Sequence, residues 1–401
     1  MKIYKLLPII CLFLVFGGCR KKSPDLYNQN QNQQVTSPSE TFLSYWHGMN
    51  NSYVLWGIDP TDWDKVYDEY LPRFQALDSQ KEVSTYQLEK LYTELSKDLI
   101  DHHYVAEITN SRAHVDSIRR FSIRPAINQL EKRNYYHEQD TNFMSNLATI
   151  IATKYQPRFK NLVAGRHNTT LIISGNIDNG IAYIYFSGFG LSNFMSDPTN
   201  EENIAAVEAV LNFHNIILNT PNLRGVIVDM RNNGGGYTND IDYILAPMLG
   251  EDLQIGHMRP KNGLGRYDYD NWVPLTIHPA VEHRKIDVPI VALVNLYSVS
   301  MSEITSTAIK TLDNGYVIGE RTYGGTCALT EYEYDYGGSF INSKVNVYTV
   351  SVLSKFFKGG IIEGIGVTPD IEILDDPEAL SEGIDRQFDG ALKLINEKSK
   401  K

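Results

Sequence analysis

Three segments, in the chain order His103, Ser300, Glu363, carry residue types able to do nucleophilic chemistry. The middle one reads Val294-Asn295-Leu296-Tyr297-Ser298-Val299-Ser300-Met301-Ser302-Glu303, a buried strand running into a short turn that opens a helix. A serine at such a turn lies beside unpaired N–H groups at the positive end of the helix dipole, where a developing oxyanion is stabilised. Ser300 and Glu303 also spell an S-x-x-E capping box, a use that needs no catalysis. The stretch Asp229-Met230-Arg231-Asn232-Asn233-Gly234-Gly235-Gly236 follows another buried strand. Consecutive glycines let backbone approach a ligand closely and turn N–H groups toward it, although a structural turn is the ordinary use of such a run. The lysine and the spacing of a phosphate loop are missing.

Other reactive side chains have plainer explanations. His102 and His103 are adjacent, so on a strand they point to opposite faces, and no H-E-x-x-H or C-x-x-C partner exists; no metal or other cofactor is expected. Cys327 follows Gly324-Gly325 and reads as a buried structural thiol. Lys310 lies almost three helical turns beyond Ser300, too far to serve as its base. His214 falls on an apolar helical stripe and reads as a core histidine.

The elements that must position these residues form two regions. From residue 41 to about 156 the pattern is mostly helical. Leu88, Leu91, Tyr92, Leu95 and Leu99 make one face, and Asp62 can start a helix carrying Trp63, Tyr67, Tyr70 and Leu71. A further helix is expected over residues 141–154. From residue 168 onward apolar strands (181–186, 225–228, 288–294, 316–318) alternate with helices (204–218, 240–249, 300–312), which implies an α/β layer with both sheet faces covered. A β-rich stretch at 330–355 and a last helix at 377–397 complete the chain. The expected division is residues 41–167 for a helical N-terminal domain and 168–401 for the α/β core.

The 401 residues are acidic, with a formal net charge of −11 and no Lys/Arg cluster inside the body, which argues against nucleic acid as a partner. Lys2 and Lys5 precede the apolar run 6–16, then Gly17-Gly18 and Cys19. That run is too short for a permanent span and reads as a signal peptide over residues 1–18. Cys19 at the cut resembles the acylated cysteine of bacterial lipoproteins, so a lipid anchor in the cell envelope is expected. Residues 19–40 are polar and read as a flexible tether. With Cys11 removed and Cys19 lipidated, Cys327 is left as the sole thiol of the three, and no intrachain disulfide can form.

The glycine loop and the serine turn together resemble the tail-specific (C-terminal processing) serine peptidase family, which pairs D-L-R-x-N-x-G-G with S-x-S-x-S-E. Leu99-Ile100-Asp101-His102-His103 is similar to its L-x-D-G-H segment, Gly319-Glu320-Arg321-Thr322-Tyr323-Gly324-Gly325 to its G-E-x-T-x-G loop, and Glu363-Gly364-Ile365-Gly366-Val367-Thr368-Pro369-Asp370 to its E-G-x-G-V-x-P-D stretch. Trp46, Tyr53 and Trp63 resemble its N-terminal helical cap, and residues 183–189 the strand before its core helix. The resemblance implies a crotonase-like (Clp-protease-like) α/β core that hydrolyses peptide bonds in peptides or unfolded proteins.

Gly325 stands where many members carry a general-base lysine, so the chain resembles instead the tricorn-like branch that uses Ser, His and Glu. That implies Ser300 as nucleophile, His103 as general base and Glu363 as the carboxylate orienting it. The backbone N–H groups of Met301 and Gly235 would form the oxyanion hole, and Asp101 and His102 are accessory candidates. His102 replaces the hydroxyl residue this branch places before its histidine. The carboxylate pairing implies an activity that falls as pH drops through 6–7, with the His103 value raised. Residues 104–171 lack the glycine-rich loop of a peptide-capturing PDZ domain, so selection by the C-terminal residue is not expected. The competing reading is an inactive lipoprotein that holds a peptide or hydrophobic ligand on the same scaffold.

Overall fold

The computed structural model describes residues 35–110, 112–113, 120–329 and 336–399. The signal peptide, Cys19 and most of the tether lie outside the described residues, as does the start of the β-rich stretch expected from residue 330. Helix α1 (Pro38–Ser52) begins inside the segment read as tether. Ser37 takes the Glu40 N–H on its hydroxyl and the Glu40 carboxylate takes the Ser37 N–H, each at 3.2 Å. This reciprocal cap satisfies donors that would otherwise be orphaned.

Aromatic residues join α1 to α2 (Trp63–Asp78) and α3 (Thr85–Ser96). Phe42 stacks on Phe74 at 4.7 Å. The indoles of Trp46 and Trp63 donate to each other's carbonyls at 2.8 and 3.1 Å. Such pairs contribute beyond the apolar area they bury, since each polar edge finds a partner. The layer is not closed by its own residues. Strands β1 (Val105–Thr109) and β2 (Arg120–Ile123) pair with each other, and β1 then pairs antiparallel with a strand from near residue 345, with Ile108 opposite Val345. Cys327, Phe340, Val345, Val347 and Leu353 accordingly share one core cluster with Phe42, Trp63 and Tyr92. The helical region expected over 41–167 is therefore built jointly with residues from 327 to 353.

After the short α4 (Pro125–Leu130) and α5 (Phe143–Ile150), the chain enters the main sheet with β3 (Phe159–His167), which pairs with β4 (Thr170–Ile177). Residues 159–167, read on the N-terminal side of the division at 167/168, are thus an edge strand of the α/β sheet. Then follow β5 (Ile181–Phe186), α6 (Ser192–Met195), α7 (Ile204–Asn219) and β6 (Gly225–Asp229). The helix expected at 240–249 is a series of short turns containing only α8 (Ile241–Ile244). Pro247 cannot continue a helix, and the freed Tyr243 carbonyl accepts from His214 at 2.7 Å. His214 is thus a partnered helix histidine.

Strands β7 (Leu253–Pro260) and β8 (Val273–Ile277) belong to a small sheet, and β9 (Ile290–Val294), α9 (Met301–Thr311) and β10 (Gly315–Gly319) return to the main one. Strands β11 (Phe340–Ile341) and β12 (Val345–Tyr348) complete the sheet of β1, while β13 (Val352–Phe356) completes the small one. β14 (Ile371–Glu372) edges the main sheet, whose order is β14-β10-β9-β6-β5-β4-β3. The run from β5 through β6, β9 and β10 to β14 is parallel. Its strands are buried on both faces: Ala182, Ile184 and Phe186 pack with α7, while Ile181, Tyr183 and Tyr185 pack with α5 and the C-terminal helix.

That last helix is two pieces, α10 (Pro377–Ser381) and α11 (Arg386–Lys398). Gly383, in the left-handed region at φ 87°, breaks it, and Asp385 caps the second piece. Among the described residues no helix is long and apolar enough to cross a membrane.

Candidate active site

Ser300 ends the turn between β9 and α9 at φ 57°, ψ −116°. The other described non-glycine residues with positive φ are all Asn or Asp, which tolerate that region; Ser300 is the exception. Neighbouring serines hold the turn. Ser298 Oγ takes the Asn295 N–H at 3.0 Å and donates to Met230 O at 2.8 Å, and Ser302 Oγ donates to Asn233 O at 2.8 Å. Both tie the turn to the glycine loop, leaving Ser300, half-buried, between them. Glu303 closes the expected cap by accepting the Ser300 N–H at 3.0 Å.

The loop itself is anchored by Arg231, whose guanidinium lies between two buried carboxylates. It donates to both Asp229 oxygens at 2.9 and 2.6 Å and to both Asp385 oxygens at 2.8 and 2.9 Å. Gly235 then meets the serine turn so closely that a Cβ on it would lie 2.6 Å from Ser300 Cβ, and its φ is +87°. Only glycine fits there. Its N–H is committed to Asn233 Oδ1 at 2.9 Å, which corrects the reading of Gly235 as an oxyanion donor. The Met301 N–H, at the first helical position, has no intrahelical partner and is the donor left beside Ser300.

His103 lies just before β1. Ring atoms of His103 and carboxylate oxygens of Asp101 and Glu363 fall within 4.8 Å of one another. Its Nδ1 is buried without a hydrogen-bond partner, and loss of solvation pushes the imidazole down to about 4. The upward shift expected from Glu363 is therefore corrected: desolvation wins, because among the described residues no carboxylate bonds the ring. Glu363 instead accepts backbone N–H groups of His102 at 3.0 Å, Thr326 at 2.6 Å and Cys327 at 2.7 Å. Burial and the Asp101 carboxylate push it well above the usual range. Asp101 accepts the His103 N–H at 2.7 Å and the Val350 N–H at 3.0 Å. His102 turns its ring away from this cluster, Nδ1 to Tyr323 O at 2.7 Å and Nε2 to Gln129 Oε1 at 3.1 Å. It braces the Tyr323 loop and has no ring nitrogen left for Ser300.

One carboxylate joins the serine turn to the loop over His103. Fully buried Glu303 accepts N–H groups from Ser300 at 3.0 Å, Gly324 at 2.7 Å and Gly325 at 2.8 Å, besides the Thr322 hydroxyl. Burial nonetheless raises it to about 7. Gly325 packs on His103 so tightly that a Cβ would lie 2.9 Å from the ring's Cε1. A lysine at 325 and an imidazole at 103 thus compete for one space. Cys327 is buried, its thiol raised by burial, and Lys310 pairs with Asp370 at 2.7 Å, so neither is placed as a nucleophile or base.

A second group lies close by. His137 Nε2 is 3.0 Å from Glu320 Oε2, with Asp375 beside them. Glu320 belongs to a recognised motif, but nothing around His137 in the sequence marks it as that carboxylate's partner. Both ring nitrogens of His137 face acceptors, and the Glu320 bond raises it to about 9. As an imidazolium it supplies the positive charge that a cation bound to these carboxylates would bring.

Residues 180–373 match the profile of Peptidase family S41. The tricorn protease of Thermoplasma acidophilum is 29% identical over 187 residues, 46% of this chain and 15% of that protein. The carboxy-terminal processing protease of Bacillus subtilis is 27% identical over 162 residues, 40% of this chain and 30% of that protein. The matched stretch spans less than a third of either relative. A candidate peptidase from Parabacteroides merdae, known from its crystal structure, shares the fold at a TM-score of 0.64 and 20% identity, over 90% of this chain and 97% of that one.

Proposed function

With residues 180–373 matching the profile of peptidase family S41, we propose that this chain is a serine peptidase of the bacterial cell envelope, held there by lipid on Cys19. Ser300 Oγ attacks the substrate carbonyl while His103 takes its proton, and the Met301 N–H receives the oxyanion. His103 returns that proton to the leaving amine, and water then hydrolyses the acyl-enzyme with His103 again as base. The carboxylates of Asp101 and Glu363, within 4.8 Å of the imidazole, stabilise the imidazolium that forms. The resting site has no Ser300–His103 hydrogen bond among the described residues; substrate closure brings the two into line.

The observation carrying this reading is the Glu303 carboxylate, bonded at once to Ser300 N–H and to Gly325 N–H, with Gly325 packed on His103. Substrates are peptides or unfolded chains, and no nucleic acid or cofactor takes part. The test incubates the purified chain with an unfolded protein and a mixed peptide library, reading new termini by mass spectrometry. Cleavage by wild type that disappears in Ser300→Ala and His103→Ala supports the peptidase. Equal binding of library members by wild type and Ser300→Ala, with no cleavage by either, would make the protein an inactive binding lipoprotein.

A further inference from the structure

Between α4 and α5, residues 131–142 are bonded to every loop that meets at Ser300. The two terminal nitrogens of Arg133 donate to Thr322 O at 2.7 Å, Tyr323 O at 3.1 Å and Ile365 O at 3.0 Å. His137 holds Glu320 at 3.0 Å through its ring, and its carbonyl accepts the Tyr297 hydroxyl at 2.7 Å. The Asp140 carbonyl accepts from Asn232 Nδ2 at 3.0 Å, and Asn232 is paired in turn with Asn295. The contacted residues belong to the glycine loop, the serine turn, the loop over His103 and the Glu363 segment, none of which is held by a sheet ladder at these positions.

We infer that Arg133 and His137 are positioning residues: residues 133–140 form a strap that fixes these four active-site segments relative to one another. The inference rests on the peptidase reading of Ser300. Three carbonyl oxygens fanned around one point match the planar fork of a guanidinium; a lysine ammonium offers no such fork. Glu320 is 1% exposed and already accepts the Leu296 and Asp375 N–H groups, so its charge needs a cation within reach. The groups facing His137 are Glu320 and Asp375 from the core, the Tyr297 ring from the serine turn and the Glu138 carbonyl from its own segment. The bond to Glu320 keeps the ring charged up to about pH 9; above that value the neutral ring has one N–H for two acceptors, and the strap loosens.

The experiment compares wild type, Arg133→Gln, Arg133→Lys and His137→Gln by steady-state kinetics on one peptide and by amide hydrogen exchange. A strap predicts that Arg133→Gln and Arg133→Lys both lose about 10-fold or more in kcat with KM within about twofold. Gly324 and Gly325 amides exchange faster in each variant, while β5 and β6 amides do not change. Millimolar guanidinium partly restores kcat to Arg133→Gln. His137→Gln lacks the fall in kcat that wild type shows above pH 9. Unchanged kcat and unchanged Gly324–Gly325 exchange overturn the inference, as does faster exchange spread evenly through β5 and β6, which would mean a general loss of stability. Faster local exchange in a chain whose wild type never cleaves would sink the peptidase reading and leave the strap standing.

Discussion

At the residue scale, chemistry is set by side chains whose surroundings decide their charge. Burial keeps His103 neutral down to about pH 4, whereas Glu303 gains its proton near 7. Activity should therefore fall in two steps. As pH drops through about 7, Glu303 protonates and weakens its hold on Ser300, Gly324 and Gly325, giving a partial loss; complete loss follows near 4 as His103 is protonated. In Glu303→Gln the step near 7 disappears and the limb near 4 remains. A kcat/KM profile showing one complete limb at 6–7, unmoved in Glu303→Gln, would reject these assignments. Ser300, His103 and Glu363 can be singled out as candidates because each sits in a short motif. Arg133 and His137 cannot, because their partners lie 189 and 183 residues further along the chain, a separation no local pattern encodes.

Elements bring these residues together through two devices, close glycines and buried ion pairs. Gly325→Lys would install a lysine where the motif resemblance places a general base, yet its Cβ would lie 2.9 Å from the His103 ring. The expected outcome is an inactive or severely impaired enzyme, and activity at or above wild type would show that this site can run on lysine. Arg231→Met leaves Asp229 and Asp385 buried without their partner. It should cost about 3–5 kcal/mol, read as a lower midpoint in urea unfolding. A change within about 0.5 kcal/mol would mean that water or a rearrangement replaces the guanidinium. The strands and their alternation were readable because both faces are apolar. The break between α10 and α11 was not, since Asp385 serves Arg231 154 residues earlier as well as its own helix.

For the whole molecule, the helical layer and the α/β core are one construction. β12 lies against β1, and Phe340, Val345, Val347 and Leu353 close the cluster around Trp63 and Tyr92. Residues 168–401 alone would therefore expose that apolar face and lose β3 from the sheet edge. The expected result is aggregation or weak exchange protection, and a fragment with native-like protection in β5 and β6 would show that the division at 167/168 is a true folding boundary. Composition already showed an acidic chain, but not the shared sheet, because strand pairing across more than 200 residues leaves no trace in periodicity.

The most direct test of the central claim treats the full chain with a fluorophosphonate that acylates activated serines, then locates the adduct by peptide mass spectrometry. One adduct on Ser300, absent in His103→Ala and in denatured protein, is the expected result. Labelling that never reaches Ser300, or reaches it equally in His103→Ala, would contradict a serine nucleophile activated by His103.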